Sequence, residues 1–298
     1  MDDNFKRIQN ITILGVGLIG GSLGLALRKH NFSGTIMGLG RRLSTLEIAL
    51  KKGAVDGITL NFAEAIESTD IVVISTPVEL IAPMTKQVAK YAKDGCIITD
   101  VGSVKRVPVS IIESFLLTSL RSQNVNLHFV GAHPMAGSEK FGASAAQANL
   151  FENALCILTP TEKTNLKALE MIKSLWRTVG ANVTVMSPTE HDFLIAAASH
   201  LPHLTACLLA RTVGDIQNSA GNALDFTSTG FSDTTRIASG SPDIWKGIFM
   251  QNADMLIPLI ETLIENLEAF RKTLVEKDEE QLERILTQAK RVRDSINK

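Results

Sequence analysis

The run Ile11-Thr12-Ile13-Leu14 leads directly into Gly15-Val16-Gly17-Leu18-Ile19-Gly20, and that loop leads directly into a helical pattern from Ser22 to Lys29. This strand, glycine loop, helix order constrains the fold more than any other feature, because each glycine then has its own steric task. The first permits a tight turn, the second lets a pyrophosphate approach the backbone, and the third lets helix pack closely on strand. Free N–H groups at the helix start, at the positive end of its dipole, suit an anionic ligand. The unit predicts a dinucleotide site whose phosphate loop is Gly15, Gly17, Leu18, Ile19 and Gly20.

Strand and helix patterns keep alternating to about residue 186. Ile11–Leu14, Thr35–Gly38, Ile71–Ser75, Cys96–Thr99, Phe129–Ala132, Leu155–Thr159 and Asn182–Val185 are short and apolar throughout, as strands covered on both faces are. Leu43–Lys52, Ile81–Lys93 and Leu166–Val179 have helical periodicity. The alternation predicts an α/β fold, with a doubly wound, mostly parallel sheet over residues 1–186. At Ser187-Pro188-Thr189-Glu190 the pattern changes, with an N-cap serine, a proline at the first helical position and a glutamate three residues on. Helical patterns then run to Lys298, so an all-helical domain over residues 187–298 is expected. A length of 298 residues suits two such domains. The apolar faces of Ile257–Leu274 and of the helix opened by Asp278-Glu279-Glu280-Gln281 exceed what one small layer needs, which predicts a homodimer through this domain.

The 30 Lys and Arg nearly cancel the 31 Asp and Glu, and no basic stripe stands out, so no nucleic-acid partner is expected. No uninterrupted apolar run reaches the roughly 18 residues of a membrane helix, and the polar start MDDNFKRIQN is no secretory signal, so no membrane association is expected. Cys96, Cys156 and Cys207 are far apart and odd in number; they read as small core residues of a reduced, cytoplasmic protein.

A dinucleotide site selective for NAD ends its second strand on an acidic residue that holds the ribose 2′-OH. Here that position is Gly40, followed by Arg41, Arg42, Ser44 and Thr45. Missing negative charge plus guanidinium and hydroxyl donors predicts NADP ahead of NAD, through charge-assisted bonds to a 2′-phosphate. The alternative is that Arg41 and Arg42 form a solvated helix entry and either cofactor serves. Thr76 and Pro77, just after the third long strand, are expected against the nicotinamide half.

In an open α/β sheet the ligand lies beyond the carboxyl ends of the strands. Two loops there carry polar groups, Asp100-Val101-Gly102-Ser103-Val104-Lys105 and Gly131-Ala132-His133-Pro134-Met135-Ala136-Gly137-Ser138-Glu139. Oxidising an alcohol needs a base for the hydroxyl proton, and imidazole titrates near neutral pH, which points to His133. Ser103 would either hydrogen-bond the same hydroxyl or fix the imidazole tautomer. A lone histidine is more often structural, but the strand-end, glycine-rich setting favours catalysis. His200 and His203, three apart on one helix face, have no third ligand beside them; binding an anionic small-molecule substrate is expected and a metal is not. Arg236, nine residues before Trp245, either clamps a carboxylate through two parallel bonds or serves an ordinary ion pair.

Together, ILGVGLIGGSLGLAL (13–27), DVGSVK (100–105), GAHPMAGSE (131–139), SHLPH (199–203) and SDTTRIASGSPDIW (232–245) resemble the prephenate/arogenate (cyclohexadienyl) dehydrogenase family of tyrosine biosynthesis. The motifs fall in order over nearly the whole chain. The resemblance implies a Rossmann domain followed by a helical dimerisation domain. It also implies oxidative decarboxylation of prephenate or arogenate, to 4-hydroxyphenylpyruvate or tyrosine, with hydride transfer to NAD(P)+. On the matching positions it makes His133 the hydrogen-bond acceptor for the ring hydroxyl and Ser103 its partner. His203 and Arg236 become substrate-binding residues, with Glu139 and Trp245 near the pocket. NAD-using members carry an acidic residue where this chain has Gly40; the family also contains NADP-using members. The chain ends soon after the helical domain, so neither a regulatory ACT domain nor a fused chorismate mutase is expected. Two other readings compete. A β-hydroxyacid dehydrogenase would rely on a catalytic lysine in the helical region, where Lys246 alone lies near the Arg236–Trp245 segment. A non-catalytic dinucleotide sensor would explain the glycine loop but not Ser103, His133, His203 and Arg236 together.

Overall fold

The computed structural model describes residues 5–119, 125–137, 142–218 and 221–296, and the chain divides into two compact units, 1–252 and 253–298. Eight strands form one sheet: β1 (Asn10–Leu14), β2 (Thr35–Leu39), β3 (Gly57–Thr59), β4 (Ile71–Ile74), β5 (Ile97–Asp100), β6 (His128–Pro134), β7 (Leu155–Thr159) and β8 (Asn182–Val185). Their order is β3-β2-β1-β4-β5-β6-β7-β8. Neighbours are parallel except β6 and β7, which run antiparallel with His133 opposite Ile157. All seven strands expected from the sequence are present. The eighth, β3, is three residues long and too short for an apolar run to mark it.

Alternate strand residues feed two cores, which is why these strands are apolar throughout. Ile11, Ile13, Ile71 and Val73 enter one core; Leu14, Val72 and Ile74 enter the other. The helices α1 (Leu18–Lys29), α2 (Leu43–Lys51), α3 (Phe62–Ile66), α4 (Val78–Val88), α5 (Arg106–Ser119) and α6 (Leu166–Thr178) cover the two faces. Leu23 and Leu27 of α1 join Leu169, Ile172, Leu175 and Trp176 of α6 in the first core, and Ile81 and Val88 of α4 join Val109 and Ile112 of α5 in the second. Each such side chain contributes about 1.5–3 kcal/mol when fully buried, so the doubly wound arrangement follows from where the apolar faces are.

Past residue 186 the chain is helical. Ser187 accepts a hydrogen bond from the Glu190 N–H at 3.1 Å and opens α7 (Pro188–Ile195), with Pro188 in the first turn. One π-helical turn, Ala196–His200, joins it to α8 (Leu201–Gly214); α9 (Thr229–Thr235) and α10 (Pro242–Gln251) complete the first unit. A two-residue hairpin, Gln217–Asn218 with Gly221–Asn222, interrupts this helical region. Helix α7 packs on α5 and α10 on α4, which brings the helical layer to the sheet edge where β4 and β5 end. The second unit is α11 (Ala253–Glu276) and α12 (Glu279–Ser295), the latter capped by Asp278, which accepts from the Gln281 N–H at 2.9 Å.

The helical run Pro188–Gly214 is long and apolar enough to cross a membrane by length and composition, which corrects the expectation that no segment reaches that length. Polar residues interrupt the apolar run and hid it. Those residues point inward: His191, Asp192, His200 and His203 are buried, whereas Phe193, Leu194, Leu208 and Leu209 are exposed.

Candidate active site

The glycine loop is built as its spacing demands. Gly15 has φ +94°, and a Cβ there would lie 2.5 Å from the Ser75 carbonyl oxygen, so both backbone conformation and space require glycine. A Cβ at Gly20 would lie 2.4 Å from the Gly15 oxygen and 2.8 Å from Ile13 Cγ2, so this residue sets the approach of α1 to β1. Gly17, at the start of α1, differs: a Cβ there would meet nothing within 4 Å. The fold itself tolerates a side chain at Gly17; the space it leaves belongs to the cleft and fits a pyrophosphate against the helix N-terminus.

Two cavities adjoin the loop. One of about 380 Å³ is lined by Gly15, Gly17, Arg41, Arg42, Thr45, Thr76 and Pro77. The other, about 640 Å³, shares Gly17, Arg42, Thr76 and Pro77 with it and reaches Leu18, Ile19, Ser103 and Trp245. Of the expected cofactor residues, Gly20 is buried beneath the loop and acts only by packing, and Ser44 is exposed on α2 and lines neither cavity. Successive residues of a helix point about 100° apart, so Thr45 faces the cleft while Ser44 does not. Arg41 and Arg42 are exposed, and neither forms an ion pair among the described residues. A Cβ at Gly40 would press on Leu46 Cδ2 at 3.1 Å, so a larger residue there requires the α2 core residue to give way.

A third cavity, about 420 Å³, shares Ser103 and Trp245 with the second and is also lined by His133, His200, His203 and Arg236. Thus the expected site residues Ser103, His133, His200, His203, Arg236 and Trp245 come together from two loops at the sheet edge and from the helical region. Glu139 lies outside the described residues.

His133, near the end of β6, is buried except where it meets this cavity, and its Nδ1 lies 2.9 Å from His191 Nε2. His191 Nδ1 lies 2.7 Å from Asp192 Oδ1. Burial holds the His133 pKa well below its ordinary value, helped by the positive charge available on His191, Lys105 and His200. Burial also lowers the His191 pKa, outweighing its hydrogen bond to Asp192. Both rings are therefore neutral at pH 7. No hydrogen bond joins Ser103 to His133 among the described residues; His133 Nδ1 meets His191 instead.

Beneath His133 lies a fully buried ion pair between Lys105 and Asp100. Lys105 Nζ donates to the Ala132 carbonyl at 2.9 Å, and Asp100 accepts from the Ala132 N–H at 3.1 Å and the Gly102 N–H at 2.8 Å. The pair thus holds both polar groups of the residue before His133 and ties β5 to β6. The ammonium and both carboxylate oxygens each have hydrogen-bond partners, the condition under which two buried charges are tolerated.

His203 stacks on Trp245 with ring centroids 3.5 Å apart and an interplanar angle of 14°, and Gly240 leaves room for the pair. His200 meets Trp245 edge-on at 6.0 Å. Asn252 Nδ2 donates to the Asp192 carbonyl at 2.9 Å and to His200 Nδ1 at 3.1 Å, so the His200 proton sits on Nε2. Burial lowers the His200 pKa to about 4. The neutral histidines leave Arg236 as the cationic group in the cavity wall, suited to a carboxylate.

His191, Asp192 and Asn252 were not legible as site residues. His191-Asp192 is an acid beside a histidine at one turn of an apolar helix, a pattern that offers a signal only once that helix is known to dock on the loop after β5.

Comparison with known proteins accords with this geometry. Residues 23–185 match the family model described as prephenate dehydrogenase, nucleotide-binding domain, and residues 187–288 the one described as prephenate dehydrogenase, dimerization domain. A prephenate dehydrogenase of Bacillus subtilis is 36% identical over 97% of this chain and 76% of its own length. The crystal structure of prephenate dehydrogenase from Aquifex aeolicus in complex with hydroxyphenyl propionate and NAD+ is similar with a TM-score of 0.89 and 34% identity, covering 97% of this chain and 98% of that one. The Synechocystis arogenate dehydrogenase structure has a TM-score of 0.79 and 28% identity, over 96% of this chain and 99% of its own. A 3-hydroxyisobutyrate dehydrogenase of Mycobacterium tuberculosis, from the competing reading, shares the fold alone, at 11% identity and a TM-score of 0.50. With two matched models spanning most of its length and a glycine loop and buried imidazoles lining adjoining cavities, the chain is a nicotinamide-dependent dehydrogenase and belongs to the prephenate dehydrogenase family.

Proposed function

We propose that this chain converts prephenate or arogenate to 4-hydroxyphenylpyruvate or tyrosine by oxidative decarboxylation, with His133 as acceptor for the ring-hydroxyl proton and NADP+ ahead of NAD+. One observation carries the reading: His133 opens onto a cavity that shares Ser103 and Trp245 with the cavity reaching the phosphate loop. Bound nicotinamide supplies the hydride acceptor for the carbinol carbon. His133 Nε2 accepts the hydroxyl proton as the C–O bond gains double-bond character, and Ser103 hydrogen-bonds the same oxygen. Loss of CO2 sends its electron pair into the ring, and His133 returns the proton to the oxygen of the resulting phenol. The chain's task is to orient the reactants, exclude water and hold anionic groups. Arg236 takes a substrate carboxylate, and the His203–Trp245 stack supports the ring.

Arg41 and Arg42 in the wall of the first cavity, with Gly40 in place of an acidic residue, support a 2′-phosphate contact. We further propose that residues 1–186 bind the dinucleotide and that residues 187–298 complete the substrate site and form a homodimer. Exposed Phe193, Leu208 and Leu209 and the matched dimerization-domain model support the dimer. Three free cysteines, two of them buried, suit the reducing cytoplasm.

The test is initial-rate absorbance of reduced nicotinamide with prephenate and with arogenate, each with NADP+ and NAD+. Turnover of at least one substrate, with higher kcat/KM for NADP+, is expected. Silence with both substrates refutes the activity, and a clear NAD+ preference refutes the role given to Arg41 and Arg42.

A further inference from the structure

We propose that His191, held by Asp192, is the positioning residue that fixes the tautomer of His133 and shares the proton His133 takes from the substrate. The inference rests on the reading of His133 as proton acceptor. It begins with Asp192, whose Oδ1 accepts from the Lys105 N–H and whose Oδ2 accepts from the Arg106 N–H, both at 2.8 Å. These N–H groups stand at the N-terminus of α5, so each oxygen of Asp192 already accepts from a backbone donor, as an N-cap side chain does. Asp192 is therefore an acceptor only, and the imidazole nitrogen 2.7 Å from it, His191 Nδ1, must carry a hydrogen.

The rest follows by elimination. Neutral His191 with its proton on Nδ1 presents a bare Nε2 to His133 Nδ1 at 2.9 Å. One hydrogen must lie between the two nitrogens, so His133 holds it on Nδ1 and keeps the Nε2 lone pair. That is the form a proton acceptor needs.

The same geometry eases the charge that catalysis creates. Taking a substrate proton on Nε2 makes His133 an imidazolium in a buried setting faced by Lys105 and His200 as well as His191, with Asp100 acting on the neighbouring His191. Asp100 is already neutralised by Lys105. If the Nδ1 proton of His133 moves to His191 Nε2, the positive charge rests on the ring in contact with the Asp192 carboxylate. One O–H bond of the substrate breaks, one N–H bond forms on His133 Nε2, and one N–H bond shifts between the rings. All three reverse when the phenol oxygen recovers its proton.

The first readout needs no turnover: long-range 1H–15N NMR of histidine-labelled protein without ligand, with peaks assigned by His133→Asn and His191→Asn. Both His133 and His191 are expected neutral at pH 7 with protons on Nδ1. A proton on His133 Nε2 in the native protein overturns the proposal, whether or not any variant folds. The second readout is kinetic. His191→Asn should lower kcat about 10- to 100-fold, less than the roughly 10²- to 10⁴-fold that the proton acceptor itself contributes, with KM within about threefold and dinucleotide affinity unchanged. A His191→Asn enzyme within twofold of the native kcat overturns the proposal, while His133→Asn remaining inactive leaves the acceptor reading in place. Full turnover by His133→Asn would instead remove the reading beneath both.

Discussion

Alanine at Gly17 and alanine at Gly20 should have different consequences, although the two residues are three apart in one loop. Gly17 has a negative φ of −92° with ψ −146°, and a Cβ there would meet nothing within 4 Å. Exchanging glycine for alanine at a helix N-cap costs at most about 1 kcal/mol, so the melting temperature of Gly17→Ala should fall by no more than about 2–4 °C. The methyl group does occupy the space beside the helix N-terminus, where a pyrophosphate approaches. Displacing one charge-assisted hydrogen bond loses about 1.5–3 kcal/mol, an increase of about 10- to 150-fold in dinucleotide Kd. Gly20→Ala instead drives a Cβ to 2.4 Å from the Gly15 oxygen and should cost about 1–3 kcal/mol of stability by overpacking, besides disturbing the loop. Trp245 lines the adjoining cavity, so quenching of its fluorescence reports binding, and thermal melts report stability. Dinucleotide binding by Gly17→Ala within twofold of the native value would refute the reasoning; so would a larger stability loss at Gly17 than at Gly20.

Three further outcomes follow from the same geometry. Lys105→Met leaves the Asp100 carboxylate buried with only two N–H donors, and urea unfolding should show a loss of about 3–5 kcal/mol; a loss under 1 kcal/mol contradicts the assigned pairing. The His200 pKa is about 4 when folded and about 6.5 when unfolded, so the unfolded chain binds the extra proton between those values. Stability from this residue is complete above pH 6.5 and falls by about 3 kcal/mol towards pH 4; His200→Gln should flatten that acid limb, and an unchanged slope would refute the assignment. The double variant Arg41→Ala, Arg42→Ala should raise KM for NADP+ about tenfold or more while changing KM for NAD+ less than twofold, and equal changes for both cofactors would count against a 2′-phosphate contact.

The sheet was legible because its strands are covered on both faces: unbroken apolar runs such as Ile71–Ile74 announce themselves, and glycine spacing identifies the first βα turn. The three-residue β3 carries too few apolar positions to do so. Of the site, Ser103, His133, His203, Arg236 and Trp245 were readable as chemistry-bearing residues at predicted loop or helix positions. What joins them was not. The partner that fixes His133 lies 58 residues on in sequence, and Asp192 acts through the N-terminus of α5, 86 residues back. Such contacts depend on how α7 docks on α5, which no local pattern encodes. Ser44 and Thr45 could not be told apart, because a hydroxyl beside two arginines suits a phosphate site equally well on either side of a helix, and only the phase of α2 puts Thr45 and not Ser44 in the cavity wall.

On the proposed mechanism, His133 accepts the substrate proton where the dinucleotide and substrate cavities meet. Steady-state kinetics of His133→Asn with saturating NADP+ tests it most directly. The expected result is kcat reduced about 10²- to 10⁴-fold, with KM within a few-fold of native and an unchanged dinucleotide Kd. A variant that turns over at near-native kcat would contradict it.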